Sequence, residues 1–500
     1  MRRTIALLAV CLAGLASAQT SVPKRAKALE AWGGDKILGE WTLHGTELVH
    51  GRIHPLTITF DSVFRFREDA TGPMPESEGY DLEASWTMNG SGVPHATSYS
   101  DHDFSLINFY VMSGQWTSEQ SPIKVLSEKD DTCEIALSED GPKAVVTLDG
   151  TTNLPTSMQY TGSGGTETWT YSNYQKMDGI QVPTLIDHMA GKNHQQIKIG
   201  GSKFAKNGKA SYAMPPIDNT GYKFNSATGN TIEVKRVFGY LFVKPLINGK
   251  DEGWFFLDTG AEVMVIDTTL AKQLKMKTVG NEEVSGVVGS VNSDFVQGID
   301  FRLGPASIKN ASYMTLDMAP FSKALGMKFA GICGYDWISR VILDIDPTKP
   351  TTIGVYPGGT TPMPDDTSWT TVPFLGFIPC MTCQFEGDHE GLFTLDTGSG
   401  STVDFFTPTV NKYDMMKGKL LSTGKTGGAG GSTESKGGSI DWFQFGPKRF
   451  VKPRVIFQIT GEGEFASTLS AGNIGMGFLS KFRMILDYQN SRIAFTEISK

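Results

Sequence analysis

The sequence predicts a mainly β protein, with an N-terminal antiparallel β domain followed by two related β-rich lobes. Three observations carry this. Apolar and polar residues alternate with period two through residues 25–203. Turn signals such as Asn89-Gly90, Asp178-Gly179 and Asn248-Gly249 separate the runs. One unit, an apolar strand entering Asp-Thr-Gly and ending at a glycine-centred turn and a second apolar strand, occurs twice in the C-terminal half.

Taken in order, the chain of 500 residues begins with a leader. Arg2 and Arg3 precede an apolar run from Ile5 to Ala16, and Ala16-Ser17-Ala18 is a small-residue cleavage site. Residues 1–18 therefore read as a secretory signal peptide, which places the mature chain in a periplasm or outside the cell. The run is too short for a comfortable membrane span. Residues 19–203 form the predicted β domain, with runs such as Leu56-Thr57-Ile58-Thr59-Phe60 and Ala144-Val145-Val146-Thr147-Leu148. A helix is expected from Lys24 to about Trp32, closed by Gly33-Gly34. Residues 204–232, with Pro215-Pro216 and scattered Gly and Asn, read as a linker. Residues 233–357 and 358–500 are the two lobes, divided by the Pro- and Gly-rich stretch from Tyr356 to Trp369.

The repeat aligns closely. Phe256-Leu257-Asp258-Thr259-Gly260-Ala261 answers to Thr394-Leu395-Asp396-Thr397-Gly398-Ser399. Ile332-Cys333-Gly334 answers to Asn473-Ile474-Gly475, and Val341-Ile342-Leu343-Asp344 to Met484-Ile485-Leu486-Asp487. From Asp258 to Gly334 is 76 residues, and from Asp396 to Gly475 is 79. One Asp-Thr-Gly is weak, since chance supplies it often; two in matched contexts are not.

Two carboxylates held close can hydrolyse an amide without metal or covalent nucleophile. They cannot both ionise, so they share one proton. The ionised member takes a proton from water while the protonated member donates to the carbonyl oxygen. In such a site Asp258 and Asp396 are the catalytic pair. Thr259 and Thr397 can bond across to the opposite loop, and Gly260 and Gly398 allow a tight turn with N–H groups near the carboxylates.

These segments resemble the retropepsin-like and pepsin-clan aspartic peptidases over about Val234 to Lys500. The resemblance implies a β-barrel-like fold in each lobe, a dyad of Asp258 and Asp396 at a pseudo-two-fold axis, and a hydrophobic-hydrophobic-Gly element behind each loop. It implies substrate-covering flaps at Gly286-Val287-Val288-Gly289 and Gly427-Gly428-Ala429-Gly430. Two flaps resemble a fused retroviral-type dimer more than a pepsin, and neither carries the pepsin tyrosine. Asn473 is polar where the family is apolar, and Gly477 stands where the first repeat has Asp336, which predicts a looser second lobe or a less well capped helix start there. The N-terminal domain is similar, more weakly, to the half-open sheets of periplasmic lipoprotein carriers. The segments are Ala28-Leu29-Glu30-Ala31-Trp32-Gly33-Gly34, Leu154 to Tyr160 and Met177 to Pro183. That likeness implies an apolar cleft with a lipid or peptide as occupant.

Other chemistry is poorly supported. Net charge is -8 with no Lys/Arg run, which argues against nucleic acid. His44, His50 and His54 lack metal-ligand spacing, so no metal or cofactor is expected. Gly424-Lys425-Thr426 fails as a phosphate loop because Lys419 stands where its first glycine belongs. Cys380 and Cys383 read as a local disulfide or packed thiols. Asp344, Asp346 and Asp487 end strands and are expected to be solvated. The sequence reading is thus an exported aspartic endopeptidase acting on polypeptides. The alternative is a non-catalytic exported lipid- or peptide-binding protein with a degenerate peptidase fold.

Overall fold

The computed structural model describes residues 23–49, 51–139, 141–162, 165–190, 193–205, 210–286, 290–360, 363 and 367–498. The expected leader lies outside the described residues. So do Val287, Val288 and Gly289 of the first flap candidate and His50. Among the described residues no helix is long and apolar enough to cross a membrane.

The protein is mainly β. Residues 40–205 contribute a 13-stranded, consecutively antiparallel sheet. Its alternation works as the period-two pattern requires: along Lys143–Leu148, Ala144, Val146 and Leu148 are buried and the residues between them are not. Asp178 and Gly179, both at positive φ, make the two-residue turn between Met177 and Ile180. The buried face packs on the helix Tyr99–Met112 and on the first helix, Lys24–Trp32, which Gly33 ends in the left-handed conformation.

Each lobe carries its own open sheet, of 11 strands in the first and 10 in the second. Neither closes into a barrel. The reason lies in the strands that end the two repeats. Val341–Ile345 and Phe482–Asp487 leave their lobes and pair with each other, Leu343 opposite Leu486 and Asp344 opposite Ile485. They form the centre of a six-stranded sheet built from both lobes. Part of the stretch expected as a linker also joins this architecture. Tyr222–Phe224 pairs with Ala306–Leu316, and Thr231–Glu233 pairs with Thr352–Pro357.

The shared sheet corrects the expectation for the strand-end acids. Asp344 is 4% exposed and takes both Arg483 Nε and an Arg483 terminal nitrogen at 2.7 Å, from one lobe to the other. Asp487 is fully buried and accepts from Arg492 and Asn490, each at 2.8 Å. Asp346 is buried and accepts from Thr348 N at 2.9 Å and its hydroxyl at 2.7 Å. These strand ends are interior because the lobes meet there. Cys380 and Cys383 are free and buried. Three positions apart on one strand, they face opposite sides and belong to different apolar clusters, which excludes a bond between them.

The N-terminal domain is docked on both lobes. His95, almost wholly buried, lies 2.9 Å from the Tyr335 hydroxyl of the first lobe and 2.7 Å from Gly376 O of the second. Burial lowers the His95 pKa to about 4, so the ring is neutral. Gly376 O can only accept, so Nε2 carries the proton, while the Tyr335 hydroxyl lies 2.9 Å from both His95 Nδ1 and Val93 O.

The Arg483–Asp344 pair gives a stability test. Arg483→Met strands a buried carboxylate, and the expected loss is about 3 kcal/mol of unfolding free energy. Urea titration should record it, and the double variant Arg483→Met/Asp344→Leu should recover much of the loss.

Candidate active site

Each Asp-Thr-Gly loop starts where a buried strand stops. Trp254–Leu257 runs parallel to Phe329–Cys333, and His389–Asp396 runs parallel to Gly472–Gly475. Behind the loops, a Cβ on Gly334 would overlap Val263 O, and one on Gly475 would come within 2.6 Å of Ser401 O. Only glycine allows backbone to pass that closely.

The two threonines then tie the loops together. Thr259 N donates to Thr397 Oγ1 at 3.0 Å, and Thr397 N donates to Thr259 Oγ1 at 2.9 Å. Each hydroxyl passes its own proton onward, Thr259 to Leu395 O at 2.6 Å and Thr397 to Leu257 O at 2.8 Å. All four bonds are buried and cross between lobes. Hydroxyls are the one short side-chain group that can accept and donate at once, so the pattern needs Thr or Ser at both places.

This lattice sets the Asp258 and Asp396 carboxyls beside each other. Gly260 N donates to Asp258 Oδ1 at 2.8 Å and Gly398 N to Asp396 Oδ1 at 2.7 Å. Each glycine also lies against the opposite carboxyl: a Cβ on Gly260 would meet Asp396 at 2.7 Å, and one on Gly398 would overlap Asp258. Burial, then the charge of Asp396, pushes the Asp258 carboxyl well above the usual carboxylate range. Asp396 is also raised by burial, but hydrogen bonds from Asp258, Gly398 N–H and Asn473 pull it back. The two titrate as a pair, and the hydrogen bonds that pull Asp396 back favour the charge on that side.

Sequence reasoning missed the part of Asn473. Its Nδ2 donates to Asp396 Oδ2 at 3.2 Å, while its Oδ1 accepts from Thr394 Oγ1 at 2.8 Å. The corresponding residue in the first lobe, Ile332, offers no donor. The expected looseness of the second lobe is thus corrected: Asn473 is buried and bonded on both sides. Asp336, where the second lobe has Gly477, anchors its own lobe by accepting from Met264 N at 2.6 Å. Polarity at an apolar position was the available signal for Asn473, but its partner could be read only from the fold.

The described residues beside both flap candidates belong to paired strands. Lys277–Ser285 pairs with Ser290–Leu303, and Ser422–Gly428 with Gly431–Ser439. Gly286 from the first lobe and Ala429 from the second touch, for a Cβ on Gly286 would overlap Ala429 O. Gly427 and Gly428 end one strand of the second hairpin, and Gly430, at φ 87°, completes its turn. Glu464 N donates to Gly286 O at 3.2 Å, a further tie from the second lobe to the first hairpin.

Where the carrier likeness implied an apolar cleft, the N-terminal domain has a cavity of about 240 Å³ with Glu47, Glu68 and Glu78 beside Phe104 and Trp169. Burial holds the Glu78 carboxyl near 7. Among the described residues no group of three or more His, Cys, Asp or Glu is placed to hold a metal ion.

No curated protein matches the chain. A family model described as aspartyl protease matches residues 243–337, which span the first Asp-Thr-Gly loop and Ile332-Cys333-Gly334, so the first lobe is an aspartyl-protease-like region.

Proposed function

We propose that the protein is an exported aspartic endopeptidase, with Asp258 and Asp396 as its catalytic pair. The observation that carries this reading is the facing pair of half-buried carboxyls, Asp258 and Asp396, held across two lobes by reciprocal threonine bonds. A merely structural acid pair at a lobe boundary would be expected to find a cation, as Asp344 finds Arg483. Here like faces like, at the cost of holding a proton, which is the arrangement that activates water.

In the proposed reaction an extended polypeptide lies between the pair and the two hairpin tips. Asp396 takes a proton from a water held by both carboxyls, and Asp258 gives its proton to the scissile carbonyl oxygen. The resulting tetrahedral diol collapses as its C–N bond breaks. The amide nitrogen leaves with a proton from Asp396, and a diol hydroxyl returns one to Asp258. Thr259, Gly260, Thr397 and Gly398 act as positioning residues that fix the two carboxyl planes.

Two measurements check this. The chain from Gln19 should cut an unfolded protein, and Asp258→Asn or Asp396→Asn should each lower kcat/KM by at least about a thousandfold with the fold intact. A folded parent that cuts nothing between about pH 3 and 8 turns the reading to a binding protein. The second measurement uses Asn473→Leu. Asn473 favours the ionised form of Asp396, so its loss raises the first pKa of the pair. The acid limb of the pH profile should move up by about one unit, the worth of one hydrogen bond to a charged group. The alkaline limb, where Asp396 is ionised on both sides of the transition, should stay.

A further inference from the structure

A second cavity, of about 210 Å³, takes in Glu262, four residues beyond Asp258. It has an apolar floor of Leu375, Ile378 and Leu469 and three acids, Asp101, Glu262 and Glu464. A water takes up roughly 30 Å³ in the liquid, so the space suits one long side chain rather than one ordered water.

The three acids come from three parts of the protein that converge on this cavity. Glu262 lies four residues beyond Asp258 on the same loop, and its Oε1 accepts from Phe377 N at 3.2 Å. Glu464 belongs to the segment that ties to the first hairpin tip through Gly286 O. Asp101 comes from the first turn of the N-terminal helix Tyr99–Met112 and accepts from Gly376 N at 2.7 Å. None of the three has a cationic partner, and the Glu464 carboxyl has no hydrogen-bond partner at all among the described residues. The neighbouring charges that act on Glu262 are Asp101, Glu282 and Glu76, all of the same sign. Burial moves Asp101 to about 6 and Glu262 and Glu464 to about 7. Glu262 nevertheless keeps an exposed surface. A desolvated carboxyl on an exposed side chain is what a concave site produces, with protein around it and the opening unfilled.

Pseudo-symmetry sets this cavity apart. Gly400 stands four residues beyond Asp396 as Glu262 does beyond Asp258, and Tyr240 stands to Gly400 as Phe377 does to Glu262. At the Gly400 end the neighbour is the ring of Tyr240, which itself packs against Phe242 and Phe256. Glu262 gives its end a carboxyl where Gly400 has no side chain. The acids are not placed to chelate one metal ion together. An apolar floor under an acidic rim instead suits an aliphatic stem with a cationic head.

We propose that this cavity is a specificity subsite that binds a lysine or arginine side chain of the polypeptide substrate, with Asp101 making the N-terminal domain part of the subsite. The proposal rests on the peptidase reading for the word substrate, but its binding test does not. Neutral peptides carrying a single lysine at each position in turn are compared with matched norleucine peptides. Affinity is measured on the full chain bearing Asp258→Asn, and hydrolysis on the parent. One lysine position should raise affinity over norleucine by about tenfold or more. Adding Glu464→Gln or, separately, Asp101→Asn should bring that ratio towards one, with thermal unfolding reporting that each variant is folded. A ratio near one at every position, or a preference untouched by both variants, overturns the subsite. If the parent cuts nothing while the lysine preference and its loss in the variants persist, the subsite stands and the peptidase reading falls. Cutting without any basic preference gives the reverse.

Discussion

Two carboxyl groups in one dry place must share a proton, and a protein that keeps them together has to hold them against their repulsion. The four buried bonds among Thr259, Thr397, Leu257 and Leu395 do this here. Much else follows from that demand. The loops must be entered by buried strands, or their ends would drift. Glycine must follow each threonine, because each Gly backbone touches the opposite carboxyl. The lobes must be fixed to each other elsewhere too, since threonine hydroxyls alone cannot set the angle between two sheets. The six-stranded sheet, with Leu343 opposite Leu486 at its centre, supplies that second line of attachment.

Symmetry at the backbone level is paired with asymmetry in the side chains. Asn473 gives Asp396 a donor that Ile332 cannot give Asp258, so the two acids differ before any ligand arrives. Glu262 and Gly400 differ in the same way one shell out. In a strict two-fold site the proton would have no preferred home, and either acid could serve as base. Here the difference in environment favours the charge on Asp396 and the proton on Asp258, which sets the direction of the proposed reaction.

Much of this was legible in the sequence because it rests on local rules. Asp178-Gly179 and Asn248-Gly249 make two-residue turns at positive φ, and Lys24–Trp32 ends at a left-handed Gly33. The two Asp-Thr-Gly segments were found because their chemistry needs contiguous residues. What could not be read depends on pairing between distant segments. Asp344, Asp346 and Asp487 look like solvated strand ends until the lobes share a sheet. Cys380 and Cys383 look close enough for a local disulfide until the strand turns them to opposite faces. Asn473 advertised its polarity but not its partner. Glu262, Glu464 and Asp101 carry no motif, since they are 202 residues apart from one another between Glu262 and Glu464 and meet only in the folded chain.

The N-terminal domain is the last piece that this constraint organises. It does not hang from a linker. Neutral His95 bridges Tyr335, directly after the Ile332-Cys333-Gly334 element, to Gly376, beside Phe377 and Glu262. One ring thus touches the support of the first loop and the second lobe's wall of the acidic cavity. Gly376 is held from both sides by this domain, its carbonyl by His95 and its N–H by Asp101. A protein that needed the domain only as a separate carrier would have no use for such bonds. Their placement makes the domain, through Asp101, a wall of the acidic cavity, so its removal would be felt there first, while the threonine lattice, which involves no N-terminal residue, would keep the two aspartates facing each other.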